Sequence, residues 1–155
     1  MTADRIAGAP ISWGVCEVPG WGYQLSPARV LAEMHEVSLA ATELGPEGFL
    51  PAELTRQAPH RIAHLHIKDV DAGLAREVQS GRKTYTEAVR AGMYRPVGEG
   101  DVDFAAIVEH LRREGYAGWY VLEQDTILTE EPHDEGPVAD VRTSVAALRS
   151  LLVNN

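Results

Sequence analysis

Cysteine, long apolar runs and an excess of basic residues are all lacking in this sequence, and each absence narrows the possible functions. Cys16 is the one cysteine, so an internal disulfide and a zinc site of the Cys-x-x-Cys type are excluded. No apolar run approaches the roughly 20 residues that span a bilayer, and the amino terminus lacks the apolar segment of a secretory signal. We therefore expect a cytoplasmic protein with no membrane partner.

Basic residues are too few for a general nucleic-acid binder. The chain has 14 lysines and arginines against 23 aspartates and glutamates, a net charge of -9, whereas phosphate contacts need basic residues in excess. Hydrophobic residues at 45% and charged residues at 24% are the balance of a soluble globular protein. The length of 155 residues suits one domain and is short for two. We expect one acidic domain that does not bind nucleic acid.

Strand-like and helix-like segments alternate along the chain. Apolar segments bounded by glycine, proline or polar residues predict buried strands over residues 6–14, 41–45, 62–70 and 118–123. Helical patterns separate them, and a last helix is predicted over residues 138–152. This alternation is typical of an α/β fold with a parallel sheet, here of about four strands.

Capping residues mark where the helices begin. Ser26 and Pro27 favour a helix start, and Asp101 or Asp103 would cap a later helix. Residues 72–90 contain a glycine break, so they form either a broken helix or a mobile excursion that closes over the strand ends. The apolar face of the first helix would consist of Val30, Leu31, Met34 and Val37.

The principal candidate site begins with His64, His66 and Lys68. Strict alternation places these three side chains on one face of a strand and Asp69 on the other. Glu123 ends another predicted strand, and ligands of parallel α/β folds collect at the carboxyl ends of strands. A histidine and a carboxylate at that edge could form half of a divalent-metal site. A polar lining of hydrogen-bonded histidines without a metal would have the same pattern.

Three further residues are candidates on weaker signals. Glu43 ends a predicted strand, where a carboxylate could act on a substrate or simply stabilise a loop. Glu99 lies in a Gly-Glu-Gly turn that would bring it near the strand ends. Trp13 follows the first strand, and with three neighbours it could wall a sugar pocket or cover the end of the sheet. Those neighbours are Glu17, Trp21 and Tyr23.

Several motifs are similar to those of a known family. The segments PISWGVCEVPGWG and ATELGPEGFLP resemble the opening of the inosose dehydratases, which belong to the xylose-isomerase-like sugar isomerases and epimerases. The segments HLHIKD, RPVGEGDVDF and GWYVLEQD resemble the end of the same fold. Both sets of motifs are long and specific, and they cover about two-thirds of the chain.

The resemblance implies a TIM barrel whose middle is absent from this sequence. A complete barrel needs roughly 250 residues, whereas residues 1–50 resemble the first two strand–helix units and residues 60–155 the last two. Residues 1–155 would then form a single truncated domain, a parallel half-barrel. Two chains related by a twofold axis could close an eight-stranded barrel, so we expect a homodimer or a higher homo-oligomer.

The resemblance also implies a metal site. Members of this family hold a divalent ion with four side chains on separate strands, and His66 and Glu123 match two of these ligands. The other two ligands would lie in the absent middle. The expected cofactor is a divalent metal, Mn, Co, Mg, Fe or Zn, which two chains could share.

The implied reaction removes a proton next to the carbonyl of a small sugar or inositol-derived substrate, with loss of water or isomerisation afterwards. Lys68 would stabilise the oxyanion or act as a base, and His64 and Glu43 would transfer protons or contact substrate hydroxyls. Trp13 would pack against the carbon face of the ring, and Glu99 would be a further substrate contact. The alternative is an inactive sugar-binding or assembly module derived from the family by internal deletion.

Overall fold

Parallel strands form the centre of this computed structural model, which describes residues 5–15, 21–39, 41–42 and 64–153. The central sheet has the strand order β2-β1-β6-β3, with every neighbouring pair parallel, and β4 and β5 form a separate antiparallel pair. The α/β class and the parallel sheet expected from the sequence are confirmed. In chain order the strands are β1 (Ile6–Gly8), β2 (Ala41–Thr42), β3 (His64–Ile67), β4 (Asp69–Val70), β5 (Tyr94–Arg95) and β6 (Trp119–Leu122).

Two of the described helices begin at caps that the sequence predicts. The Ser26 side chain accepts a hydrogen bond from the N–H of Arg29 at 3.4 Å, and Asp103 accepts one from Ala106 at 3.0 Å. None of the described helices is long and apolar enough to cross a membrane. They are α1 (Pro27–Glu36), α2 (Ala72–Gln79), α3 (Tyr85–Arg90), α4 (Phe104–Arg113) and α5 (Pro137–Val153).

The main hydrophobic core lies between one face of the sheet and helices α1, α4 and α5. Successive side chains of β3 point to opposite faces of the sheet, so Leu65 and Ile67 point into this core and His66 lies on the other face. The apolar face of α1 is as predicted except at Leu31, which is 55% exposed. Successive helical residues are about 100° apart, so the face that buries Val30 turns Leu31 towards solvent.

Residues 72–90 fold as a broken helix, the first of the two predicted alternatives. Gly81, with φ +72°, lies between α2 and α3 in a conformation that glycine adopts readily. Apolar side chains of both helices pack around the buried Trp21 in a second hydrophobic cluster, which also includes Met93. This excursion is therefore a folded element with its own small core.

The carboxylate of Asp69 organises the loop that follows β5. It is 1% exposed and accepts hydrogen bonds from the backbone N–H groups of Val70, Gly98, Gly100 and Val102, at 2.8–3.1 Å. A buried carboxylate needs such donors because no water replaces them. The Gly-Glu-Gly turn thus binds the carboxylate of Asp69 through its backbone N–H groups.

We predict that Gly100→Ala destabilises the protein more than Gly115→Ala does. A Cβ at Gly100 would lie 2.2 Å from Oδ1 of Asp69, whereas a Cβ at Gly115 meets nothing within 4 Å and costs only its backbone strain at φ +74°. We expect a loss of about 2 kcal/mol or more at Gly100 against about 1 kcal/mol at Gly115. Urea unfolding of both variants gives these values, and equal losses would contradict the role assigned to Asp69.

Candidate active site

The register of the sheet brings Lys68 and Glu123 to one edge. β3 and β6 are paired with Ile67 beside Leu122, and the N–H of Glu123 donates to the carbonyl of Ile67 at 3.1 Å. The next residue of each strand therefore leaves the sheet at its carboxyl edge, where parallel α/β folds bind their ligands. Asp125 follows two residues after Glu123, so three charged side chains meet there.

A partly buried ammonium lies between two buried carboxylates. Lys68 Nζ contacts Oε1 of Glu123 and lies 2.5 Å from Oδ1 of Asp125. The second carboxylate oxygen of Glu123 lies 2.5 Å from Nδ1 of His66. The side chains of Glu123 and Asp125 are each only 3% exposed, so little water screens these contacts. We refer to His66, Lys68, Glu123 and Asp125 as the Lys68 cluster.

The cluster holds Lys68 in its charged form. Burial opposes the charge, but the Asp125 and Glu123 carboxylates outweigh burial and raise the pKa of the Lys68 ammonium. Of the two roles predicted for Lys68, a base would need a lowered pKa, which is the opposite of what this environment produces. Stabilising an oxyanion requires the ammonium, so this role fits the site.

The two carboxylates of the cluster are shifted in opposite directions. Burial opposes ionisation of Glu123, but the hydrogen bond from His66 and the charge of Lys68 outweigh it and lower the pKa of Glu123 to about 2. Burial raises the pKa of Asp125, and the Lys68 ammonium and the Tyr85 hydroxyl only partly offset this effect. Glu123 is therefore the carboxylate that stays ionised over the wider pH range.

Two tyrosines from outside the central sheet complete the surroundings of the cluster. The Tyr85 hydroxyl donates a hydrogen bond to Oδ2 of Asp125, and the Tyr94 ring centroid lies 4.5 Å from Lys68 Nζ. The ring centroids of Trp21 and Tyr85 are 6.2 Å apart. Sequence reasoning missed Tyr85, Tyr94 and Asp125 as site residues. Only Asp125 had a usable signal, its position just beyond a predicted strand end.

The structure does not bring Trp13 to the site. Pro10 ends β1 and begins a 3₁₀ turn, Pro10–Trp13, which points the indole into the main core. Trp13 is 0% exposed, and its Nε1–H donates to Oε2 of Glu33 on α1 at 2.8 Å. An apolar wall for a substrate must be accessible, so the role predicted for Trp13 is wrong.

The other predicted residues have different positions relative to the cluster. His64 lies on the same face of β3 as His66, with ring centroids 5.5 Å apart, and its side chain is exposed. Glu99 is exposed on the turn that Asp69 organises, because the two flanking glycines bind the Asp69 carboxylate. Glu43 lies outside the described residues.

The donors of the cluster fit a divalent metal in kind but not in number. Imidazole and carboxylate are ligand types that suit the metals expected from the sequence, but Nδ1 of His66 and Oε2 of Glu123 are hydrogen-bonded directly to each other at 2.5 Å. A protein site usually supplies three or four side-chain ligands. Within the described ranges, no group of three or more histidine, cysteine, aspartate or glutamate side chains could hold an ion. This part of the chain therefore contains no complete metal site.

Comparison with known proteins agrees with the parallel α/β sheet. The family model described as "Xylose isomerase-like TIM barrel" matches residues 22–151 of this chain. The chain belongs to the xylose isomerase-like TIM barrel family. The described strand order, β2-β1-β6-β3, suits this family because the first and last strands of a barrel are neighbours.

Curated relatives of this family member include catabolic enzymes, which it matches over part of their length. It is 38% identical over 66 residues to an inosose dehydratase of Geobacillus thermodenitrificans, covering 43% of this chain and 22% of the relative. It is 32% identical over 103 residues to an inosose dehydratase of Erwinia tasmaniensis, covering 63% and 35%. It is 34% identical over 88 residues to the rhizopine catabolism protein MocC of Rhizobium meliloti, covering 57% and 26%. The chain thus spans about a quarter to a third of these relatives.

We predict that Lys68→Met destabilises this family member by about 3–5 kcal/mol at neutral pH, because it leaves two buried carboxylates without their cation. In the wild type, Glu123 stabilises the fold above its ordinary pKa of 4.5, and this contribution is lost as the pH falls towards about 2. In the variant both carboxylates are easier to protonate. The stability deficit should therefore be largest at neutral pH and should narrow below about pH 4.5.

The control is Lys83→Met, which removes the other lysine of the chain. Lys83 pairs with Glu77 at 3.2 Å, and both side chains are about a third exposed, so this loss should be at most about 0.5 kcal/mol. Denaturant unfolding of both variants across the pH range measures the difference. A Lys68→Met deficit that does not change with pH would contradict the charge pairing.

Proposed function

We propose that the Lys68 cluster is part of an active site that removes a proton next to the carbonyl of a polyol ketone and then expels water, as in an inosose dehydratase. The observation that carries this proposal is the ammonium of Lys68, whose side chain is 16% exposed and which is held between two buried carboxylates at the carboxyl edge of the sheet. The substrate would be a small sugar or inositol-derived ketone, and the enzyme would act in the cytoplasm. Isomerisation of such a ketone would begin with the same proton removal.

In this proposal the chain's own residues divide the work between charge and proton transfer. Breaking the C–H bond leaves an electron pair that moves onto the carbonyl oxygen, and the Lys68 ammonium would stabilise that oxyanion. The enolate then expels a hydroxyl group from the neighbouring carbon, which leaves as water with one proton. His64 and Glu43 are the candidates for proton transfer, and His64 is exposed and therefore accessible to a substrate.

We further propose that His66 and Glu123 hold a divalent ion when ligands from outside the described residues join them. Such an ion would polarise the substrate carbonyl. What supports this assignment is that the two side chains are neighbours, and the ion would replace their direct hydrogen bond. Lys68 would then pair with Asp125, which it already contacts.

A second copy of the chain is the proposed source of the remaining barrel wall and metal ligands. The described sheet ends on β2 at one side and on β3 at the other, and an open parallel sheet exposes unpaired backbone groups at its edges. A twofold pair would cover these groups and bring two Lys68 clusters to one lumen.

The dimer and the metal can be tested in one sample. We expect light scattering to give the mass of a dimer, and metal analysis to find a divalent ion that is lost in His66→Ala without a change in mass. A metal-free monomer would overturn both proposals. A metal-free dimer would favour the alternative, an inactive sugar-binding or assembly module, since the described residues hold two donors and no third.

Proton removal can be measured directly. Incubation with inosose in D₂O should exchange the hydrogen next to the carbonyl, visible by NMR, and mass spectrometry should detect the loss of one water. We expect Lys68→Met and Lys68→Arg to slow exchange by about 100-fold or more, since the ammonium at one position is lost or displaced. Lys83→Met should exchange at the wild-type rate.

The outcomes separate the candidate functions. Exchange that does not depend on Lys68 would overturn the role of the cluster in the reaction. Binding of inosose by calorimetry with no exchange would support the sugar-binding module instead. If the protein neither binds inosose nor catalyses the exchange, the remaining candidate is the assembly module.

A further inference from the structure

We propose that Tyr85 and Tyr94 are positioning residues of the active site, through which helix α3 and strand β5 fix the Lys68 ammonium in place. This inference rests on the proposed function and adds to it two residues that lie outside the parallel sheet. Neither tyrosine needs to touch the substrate, since each acts through a member of the Lys68 cluster.

Tyr85 fixes the carboxylate of Asp125. The Tyr85 hydroxyl donates to Oδ2 of Asp125, while Oδ1 of the same carboxylate lies 2.5 Å from Lys68 Nζ. With one oxygen held by a phenol and the other by an ammonium, the carboxylate cannot rotate without losing one of the two contacts. Tyr85 thereby keeps Asp125 turned towards Lys68.

Tyr94 bounds the ammonium on another side. β4 and β5 pair Val70 with Tyr94, and Lys68 comes just before β4 in the chain. The Tyr94 ring centroid consequently lies 4.5 Å from Lys68 Nζ, within the range of a cation–π contact. The Tyr94 hydroxyl is 3.2 Å from that of Tyr85, so the two tyrosines also support each other.

The first turn of α3 is built to hold Tyr85 where it is. Thr84 and Glu87 form a reciprocal capping box around this turn, and Ala88 and Val89 anchor the helix in the cluster that surrounds Trp21. The Tyr85 ring itself is 40% exposed, so it contributes little burial. Removing only its hydroxyl should therefore affect the cluster much more than it affects folding.

Kinetics of the exchange reaction test this inference on the full chain. We expect Tyr85→Phe to lower kcat about tenfold with KM unchanged, as for loss of one hydrogen bond to a charged group. We expect Tyr94→Leu to lower it about tenfold as well, since it removes the aromatic face. The control is Tyr116→Phe, which removes a hydroxyl that donates to the carbonyl of Trp119 at 2.8 Å, and it should keep the wild-type kcat.

A spectroscopic measurement tests the same inference without any activity. Lys68 and Lys83 are the lysines of the chain, so ¹⁵N-lysine labelling gives ammonium signals for these two residues alone. We expect the Lys68 signal to be shifted by the Tyr94 ring and protected from exchange with water. Tyr94→Leu should remove the shift, and Tyr85→Phe should speed the exchange, while the Lys83 signal stays unchanged.

The two measurements distinguish a failure of this inference from a failure of the proposed function. An active wild type whose Tyr85→Phe and Tyr94→Leu variants keep the wild-type kcat would overturn the positioning role and leave the function standing. An inactive wild type would overturn the function, and the Lys68 signal would then decide the positioning role. A Lys68 signal that neither variant changes would overturn it.

Discussion

The contact of the Lys68 ammonium with two buried carboxylates is the constraint around which the carboxyl edge of this sheet is arranged. Glu123 and Asp125 are almost fully buried, and neither would tolerate its position without a cation. The loops that follow β3 and β6 must therefore run so that one ammonium reaches both carboxylates. Helix α3 and strand β5 pack against this arrangement, which explains why residues 72–95 are folded over the strand ends.

A second buried carboxylate controls the neighbouring loop by a different physical means. Asp69 is satisfied by four backbone N–H groups and not by a cation. Lys68 and Asp69 are consecutive but have different partners: Lys68 contacts the carboxylates that follow β6, and Asp69 contacts the backbone of the loop that follows β5. Lys68 is thus part of the candidate active site, and Asp69 fixes the loop in which Glu99 lies exposed.

Much of the fold could be predicted because it depends on local signals. The parallel sheet follows from alternating strand and helix patterns, and Ser26 and Asp103 cap helices as their side chains predict. Errors arose where a neighbouring element decided the outcome. Leu31 is exposed because the buried face of α1 is narrower than predicted. Trp13 is buried because the 3₁₀ turn that begins at Pro10 points its indole into the core. The extent of the truncated domain, residues 1–155, stays a prediction.

The sequence by itself determined the order of the elements, the caps of two helices, and the face of β3 that carries His66, because helical and strand periods are properties of adjacent residues. The tertiary structure alone decided which side chains complete the site. Asp125, Tyr85 and Tyr94 come from separate segments, and no periodicity relates them to Lys68. Only the register of β6 against β3 and the pairing of β4 with β5 bring them within contact of one ammonium.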